Sequence, residues 1–243
     1  MTGRRRLWPM LLATATAFVI LIGFGFWQLQ RLKWKTALLA DIAAHQAAAP
    51  AALAAFERQR AAGENIEFSK VTARGHFLHH QEILMLSTID GRPAWDVVTP
   101  LVTAERQVLL VDRGAVPDDR RDIATRSEAN PEGEVEVTGI LKAHRAPRTF
   151  FSPDNNVAAN QWIWWDMPAL TAATRLPAGT NFLPYVLHVT PGGAAFPPIE
   201  AKAPAAGISN NHLQYVITWF GLALALLAVA ANYVREQMAK PHA

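Results

Sequence analysis

Two apolar runs, Leu7–Leu29 near one end and Leu213–Tyr233 near the other, constrain this chain more than any other feature. Crossing the hydrocarbon core of a bilayer takes roughly 20 apolar residues in a helix. The first run carries no charge, and the second is interrupted only by Gln214, Thr218 and Asn232. A secretory signal peptide also has a basic start, but its apolar core is about 7–15 residues long and is followed by a small-residue cleavage site. Here the run is longer and exits through Phe26-Trp27-Gln28-Leu29-Gln30-Arg31, while within the run Ala-x-Ala patterns occur only at Ala13–Ala17, too early for cleavage. The first run therefore reads as an uncleaved anchor, with Gly23 and Gly25 as points where another helix can approach closely.

Charge follows the same division. Residues 36–211 carry 15 Lys/Arg against 19 Asp/Glu, a net of −4, whereas the flanks hold Arg4, Arg5, Arg6, Arg31, Lys33, Lys35, Arg235 and Lys240 against Glu236 alone, a net of +7. The overall charge of +3 thus belongs to membrane edges and not to a nucleic-acid-binding face, and nucleic acid is set aside as a partner. The positive-inside rule places both termini in the cytoplasm and exports the long intervening segment. With no amphipathic, Arg-rich transit peptide, the expected location is a bacterial plasma membrane. The absence of cysteine excludes disulfides, thiolate metal sites and CxxC redox motifs.

The expected organisation is a cytoplasmic N-terminus (1–6), a first span (7–29), a juxtamembrane helical region (30–65), an external β-rich domain (66–190), a linker (191–211), a second span (212–233) and a cytoplasmic tail (234–243). Within Arg31–Ala62 the helix breaks at Pro50 and stops at Gly63. Strands are expected at Phe68–Gly75, Glu82–Ser87, Trp95–Leu101, Gln107–Arg113, Glu134–Leu141, Gln161–Asp166 and Leu183–Thr190. Even spacing with little helix between them predicts a small antiparallel barrel or sandwich. A short helix follows at Met167–Thr174, with Asp166 as its N-cap and Pro168 in the first turn. The fold class is therefore membrane α+β, two transmembrane helices flanking an external β-rich domain.

His212 stands at the mouth of the second span. At helical spacing, Tyr215 and Trp219 share its stripe (i, i+3, i+7). The three either wall and ligate an iron porphyrin or form an aromatic belt that fixes helix depth. Arg31, Lys33 and Lys35 end the first span on the same membrane face and would meet carboxylates of such a ligand. His76, His79 and His80 lack a carboxylate or thiolate at ligand spacing and read as a solvated turn; Asp118, Asp119 and Asp122 among Arg120 and Arg121 read as a solvated charge run. No nucleophile elbow or phosphate loop is present in the sequence.

Several phrases, taken in order, resemble the surfeit locus protein 1 family. They are Gln30-Arg31-Leu32-x-Trp34-Lys35; Gly91 with Val98-Thr99-Pro100-Leu101; and Val111-Asp112-Arg113-Gly114-x-Val116-Pro117. Then come Gly139, Phe151-x-Pro153-x-Asn155, Asn160-Gln161-Trp162, Asp166, and Asn211-His212-Leu213-x-Tyr215-x-x-Thr218-Trp219-Phe220. The chain departs from the family at Ala115, where tryptophan is common, and after Pro93, where Ala94-Trp95 replaces a glycine–aromatic pair. The resemblance implies a bacterial-type assembly factor of cytochrome c oxidase, not an enzyme. It would bind haem a and present it to oxidase subunit I, working with other oxidase assembly factors in membrane lipid.

On that reading His212 holds the haem iron, Tyr215 and Trp219 wall the ring, and Arg31 and Lys35 face the propionates. Asp112 and Arg113 are either a docking contact or polar anchors satisfying the Gly114 turn; Asn160, Trp162 and Asp166 are either a polar platform or helix capping with an aromatic core. The rival functions are a scaffold for subunit I without cofactor and a copper-insertion factor using His and Met ligands.

Overall fold

The computed structural model describes residues 2–64, 66–144, 150–176, 179–194, 196–201 and 210–239. Residues 202–209 of the expected linker and the end of the tail (240–243, with Lys240) lie outside these residues. The chain divides into two compact units, one made of residues 1–41 and 208–243 and the other of residues 42–207.

The first unit is an antiparallel helix pair. Helix α1 (Thr2–Ala47) is continuous through the first apolar run and well beyond it, and the last helix, α4, covers His212–Ala239. Both are long and apolar enough to cross a membrane. On α1 the less exposed positions Thr14, Phe18, Leu21, Gly25, Gln28 and Leu32 recur every seven residues; on α4 they are His212, Val216, Trp219, Ala223, Leu226 and Ala230. A repeat alternating three and four residues is the seam of two helices crossing at a shallow angle. Gly25 is essential to it, because a Cβ there would lie 2.7 Å from the ring of Phe220. Gly23, by contrast, has nothing within 4 Å.

The second unit is a closed barrel. Its strands are β1 (Ala51–Ala52), β2 (Lys70–Phe77), β3 (Ile83–Ile89), β4 (Arg92–Val102), β5 (Gln107–Pro117), β6 (Glu134–Lys142) and β7 (Asn181–Val189). They run in the order β1-β2-β6-β7-β5-β4-β3, and a further pairing of β2 with β4 closes the five central strands into a ring. Closure falls at His76↔Val102 and Phe77↔Leu101. The β5–β7 pair is parallel and brings Asp112 opposite His188. Helices α2 (Leu53–Ala61) and α3 (Met167–Ala173) complete the elements.

Alternation explains the interior. Val71, Ala73, Leu109, Val111, Val137, Leu141, Leu183, Tyr185 and Leu187 point inward from successive strands. A second cluster on the outer sheet face, including Met85, Leu110, Val186, Trp162 and Leu170, lies beneath α3. The expected α3 cap forms: the Asp166 carboxylate accepts from the Ala169 N–H at 3.1 Å.

Three sequence expectations are revised. Gln161–Asp166 is not a strand; it makes isolated bridges, Asn156↔Gln161 and Met85↔Trp162, and Asn155 binds the backbone beyond. Residues 196–201 are barrel structure and not linker, because Phe196 and Ile199 are buried in the core. Gly114 does not end β5: the strand continues to Pro117, and Ala115 exchanges both backbone hydrogen bonds with Glu200. Glycine is required there because φ is +118° and a Cβ would lie 2.1 Å from the Glu200 carbonyl oxygen.

Asp112 and Arg113 therefore sit mid-strand and buried. Arg113 is 0% exposed, with its guanidinium against the rings of Phe77 (4.9 Å) and Phe196 (4.5 Å), which meet each other edge-on. It donates to the Ala129 carbonyl, to Thr99 Oγ1 and to Asn130 Oδ1. Burial pulls its pKa down to about 10, so it is charged at neutral pH. Arg126, also fully buried, forms a two-pronged ion pair with Glu82 and donates to the Arg120 and Arg121 carbonyls, folding the charged segment 118–129 inward. Replacing Arg113 with alanine removes two ring contacts and strands their polar partners. The expected loss is about 3 kcal/mol, measured by denaturant unfolding, with Arg113→Lys recovering little because a point charge replaces neither the planar ring contacts nor the forked hydrogen bonds.

Candidate functional site

The residues singled out at the sequence ends lie on the helix pair, where His212 and Trp219 meet α1 residues that were not singled out, Gln28 and Phe24. His212 is the first residue of α4, and its Nδ1 lies 2.7 Å from the Oε1 of Gln28 on α1. An amide oxygen only accepts, so Nδ1 is the donor and carries the proton. A neutral imidazole in that tautomer has its lone pair on Nε2, which has no protein partner among the described residues. Gln28 is only 8% exposed although it stands within an apolar helix. Next to this pair, Asn210 Nδ2 donates to Thr36 Oγ1 at 3.4 Å.

Below the histidine the seam is aromatic. Trp219 stacks on Phe24 with centroids 4.9 Å apart, and Phe26 meets Phe220 edge-on at 5.6 Å. The Trp219 indole N–H is buried and has no hydrogen-bond partner. An unpaired buried donor costs about 1–3 kcal/mol. Tyr215 departs from the stripe and is 51% exposed on the flank of α4, since the seam follows 212, 216, 219 and 223. On α1, Ile20, Phe24, Trp27 and Arg31 fall at i, i+4, i+7 and i+11, a single helical face. Arg31 lies over the Trp34 ring at 4.6 Å, and Lys35 follows one turn on from Arg31.

The other sequence candidates belong to the barrel unit, where their polar atoms meet internal partners. The Asn160 amide donates to the Glu82 carbonyl at 2.8 Å, and its oxygen accepts from Trp162 Nε1 at 3.2 Å. Asn160 holds a positive φ of 50°, and Trp162 is almost wholly buried. Asp166 caps α3. Asp112 Oδ1 accepts from the Gly114 N–H and Oδ2 from His188 Nδ1 at 2.7 Å. This geometry supports capping and core packing as the work of these residues.

Two features were not singled out from the sequence. Gln28 could have been found as the last amide-bearing residue within the anchor. The chain Asp112–His188–His144 had no local signal, because its members come from three separate segments. His188 Nε2 lies 3.0 Å from His144 Nε2, and Trp165 stacks on His144 at 4.1 Å. Burial, reinforced by His188 and Lys142, pushes His144 down to about 3. Its folded pKa is thus below the unfolded value of about 6.5, and protonation favours unfolding. The stability it contributes is full above about pH 6.5 and is lost as pH falls towards 3. The thermal midpoint of the full chain is expected to fall between about pH 7 and about pH 4.5, with a shallower fall in His144→Gln.

Two long apolar helices paired through a part-buried glutamine–histidine bond, with a closed five-stranded barrel between them in sequence, define a β-barrel protein with two candidate membrane spans. The chain matches the SURF1 family over residues 15–224, and it belongs to that family. It is 34% identical over 237 residues to Surfeit locus protein 1 of Mus musculus, covering 90% of this chain and 72% of the mouse protein. It is 33% identical over 238 residues to the Homo sapiens protein of that name, covering 90% and 74%. A SURF1-like protein of Rickettsia felis is 29% identical over 233 residues, covering 93% of this chain and 96% of its own length.

Proposed function

We propose that this membrane protein is an assembly factor for an aa3-type haem–copper cytochrome c oxidase, and that it holds haem a at His212 and presents it to subunit I. The observation that carries the reading is the His212–Gln28 bond. It fixes the imidazole between two helices with Nδ1 protonated and Nε2 available, the form in which histidine ligates a haem iron. The orphaned Trp219 indole and the Phe24–Trp219 stack supply the aromatic wall a porphyrin requires. Arg31 and Lys35 stand one and two turns beyond Gln28, where propionates can be met by cations. Haem would supply an iron centre to be delivered, and the chain's part is binding and release, not turnover.

In this reading both termini are cytoplasmic and the barrel is on the external face, where it contacts the oxidase subunit and other assembly factors. Handing the ligand on requires the site to be weaker than its destination, and a single protein imidazole, His212, would meet that need. The test is the haem content of the full chain purified from cells that make haem a. Wild type is expected to retain haem and His212→Ala to lose it. Equal haem in both would overturn His212 as the ligand, and none in either would leave a cofactor-free scaffold as the function. Gln28→Leu, which keeps the ligand but removes its orienting partner, is expected to weaken haem binding by about 10–100-fold in a titration followed by absorbance.

A further inference from the structure

Within the barrel unit, Asp112 on β5 and His188 on β7 stand opposite each other across the parallel strand pair, and His144 lies two residues beyond the end of β6. The carboxylate accepts from His188 Nδ1 at 2.7 Å, which leaves a lone pair on the Nε2 of that ring. This Nε2 is 3.0 Å from His144 Nε2. Trp165 stacks on His144 at 4.1 Å and meets His188 edge-on at 5.8 Å. One ring is thus oriented by a carboxylate and the other by an indole face, and both are carried on or beside paired strands.

We propose that His144 and His188 bind a divalent transition-metal ion of the kind that prefers imidazole, copper or zinc, through their Nε2 atoms, with Asp112 as a positioning residue. Bonds of about 2.0–2.1 Å drawn from nitrogens 3.0 Å apart meet at about 95°, near the right angle between neighbouring ligands of a tetragonal ion. A carboxylate on the far nitrogen of a ligating histidine fixes its tautomer and raises its basicity, and Asp112 has that place on His188. Burial keeps His144 uncharged at neutral pH, so its ring does not repel a cation. Without an ion, the 3.0 Å contact is a hydrogen bond from His144 to His188. An ion replaces it once His144 carries its proton on Nδ1, and both rings stay neutral. Among the described residues no third histidine, carboxylate or thiolate completes the set, so the remaining positions belong to water. Two protein ligands with open positions make an exchangeable site, unlike the closed four-ligand sites with which zinc builds a fold. The inference is independent of His212 and of haem.

The full chain, purified in detergent without a polyhistidine tag and stripped with chelator, is titrated separately with Cu²⁺ and Zn²⁺. Wild type is expected to take up one equivalent of either ion at this site, copper more tightly, with a rise in thermal midpoint. The electron paramagnetic resonance spectrum of the copper form is expected to show splitting from two nitrogen ligands. His144→Gln is expected to lose that equivalent, and His212→Ala to bind as wild type does. Asp112→Asn is expected to weaken binding about 10–100-fold while keeping the two-nitrogen spectrum at saturation. No stoichiometric uptake, uptake unchanged in His144→Gln, or uptake lost in His212→Ala overturns the site. If His144→Gln shows no thermal transition of its own, the wild-type copper spectrum decides: a pattern without two nitrogens overturns the site as well.

Discussion

A polar side chain within an apolar helix must find its partner inside the protein, and Gln28 and His212 find each other across the helix pair. That single bond fixes the vertical register of α1 against α4. With it set, Trp219 reaches Phe24, Phe220 drops onto the bare backbone of Gly25, and the seven-residue seam follows on both helices. The same bond decides the tautomer of the histidine. Register and tautomer are thus one constraint on the helix pair.

The barrel unit solves a different problem, that of burying charge inside a small closed sheet. Arg113 is accommodated by two aromatic faces and carbonyl acceptors, Arg126 by a paired carboxylate, and Asp112 by an imidazole and a backbone N–H. Each of these groups ties a non-strand segment to the sheet: residues 118–129 through both arginines, residue 144 through His188. Removing such a partner leaves a buried charge or dipole uncompensated, so these side chains act as fasteners for the loops. Their motif-like appearance in the sequence has a structural cause.

The legible parts of the sequence were those governed by local periodicity. The two spans, the cap of α3 at Asp166 and six of the seven expected strands could be read from apolar spacing and punctuation, with ends displaced by a few residues. Gln161–Asp166 misled because its three tryptophans have strand character, yet Trp162 covers the outer face of a sheet instead of joining one. Gly114 misled because a glycine after a buried run normally marks a turn, whereas here it admits the crossing backbone of Glu200. Neither outcome has a local cause that a sequence window contains.

The sequence by itself determined that two apolar helices bracket a β-rich unit, that the charge balance belongs to the helix ends, and that a histidine opens the second helix, since these depend on composition and short-range spacing. Only the tertiary structure decided that Gln28 is the partner of His212, that Tyr215 lies off the seam, that Gly25 is filled and Gly23 open, and that Asp112, His188 and His144 form one chain. Those outcomes depend on which residues distant in the chain meet, and the register of the helix pair and the parallel β5–β7 pairing set those meetings through interactions between segments far apart in sequence.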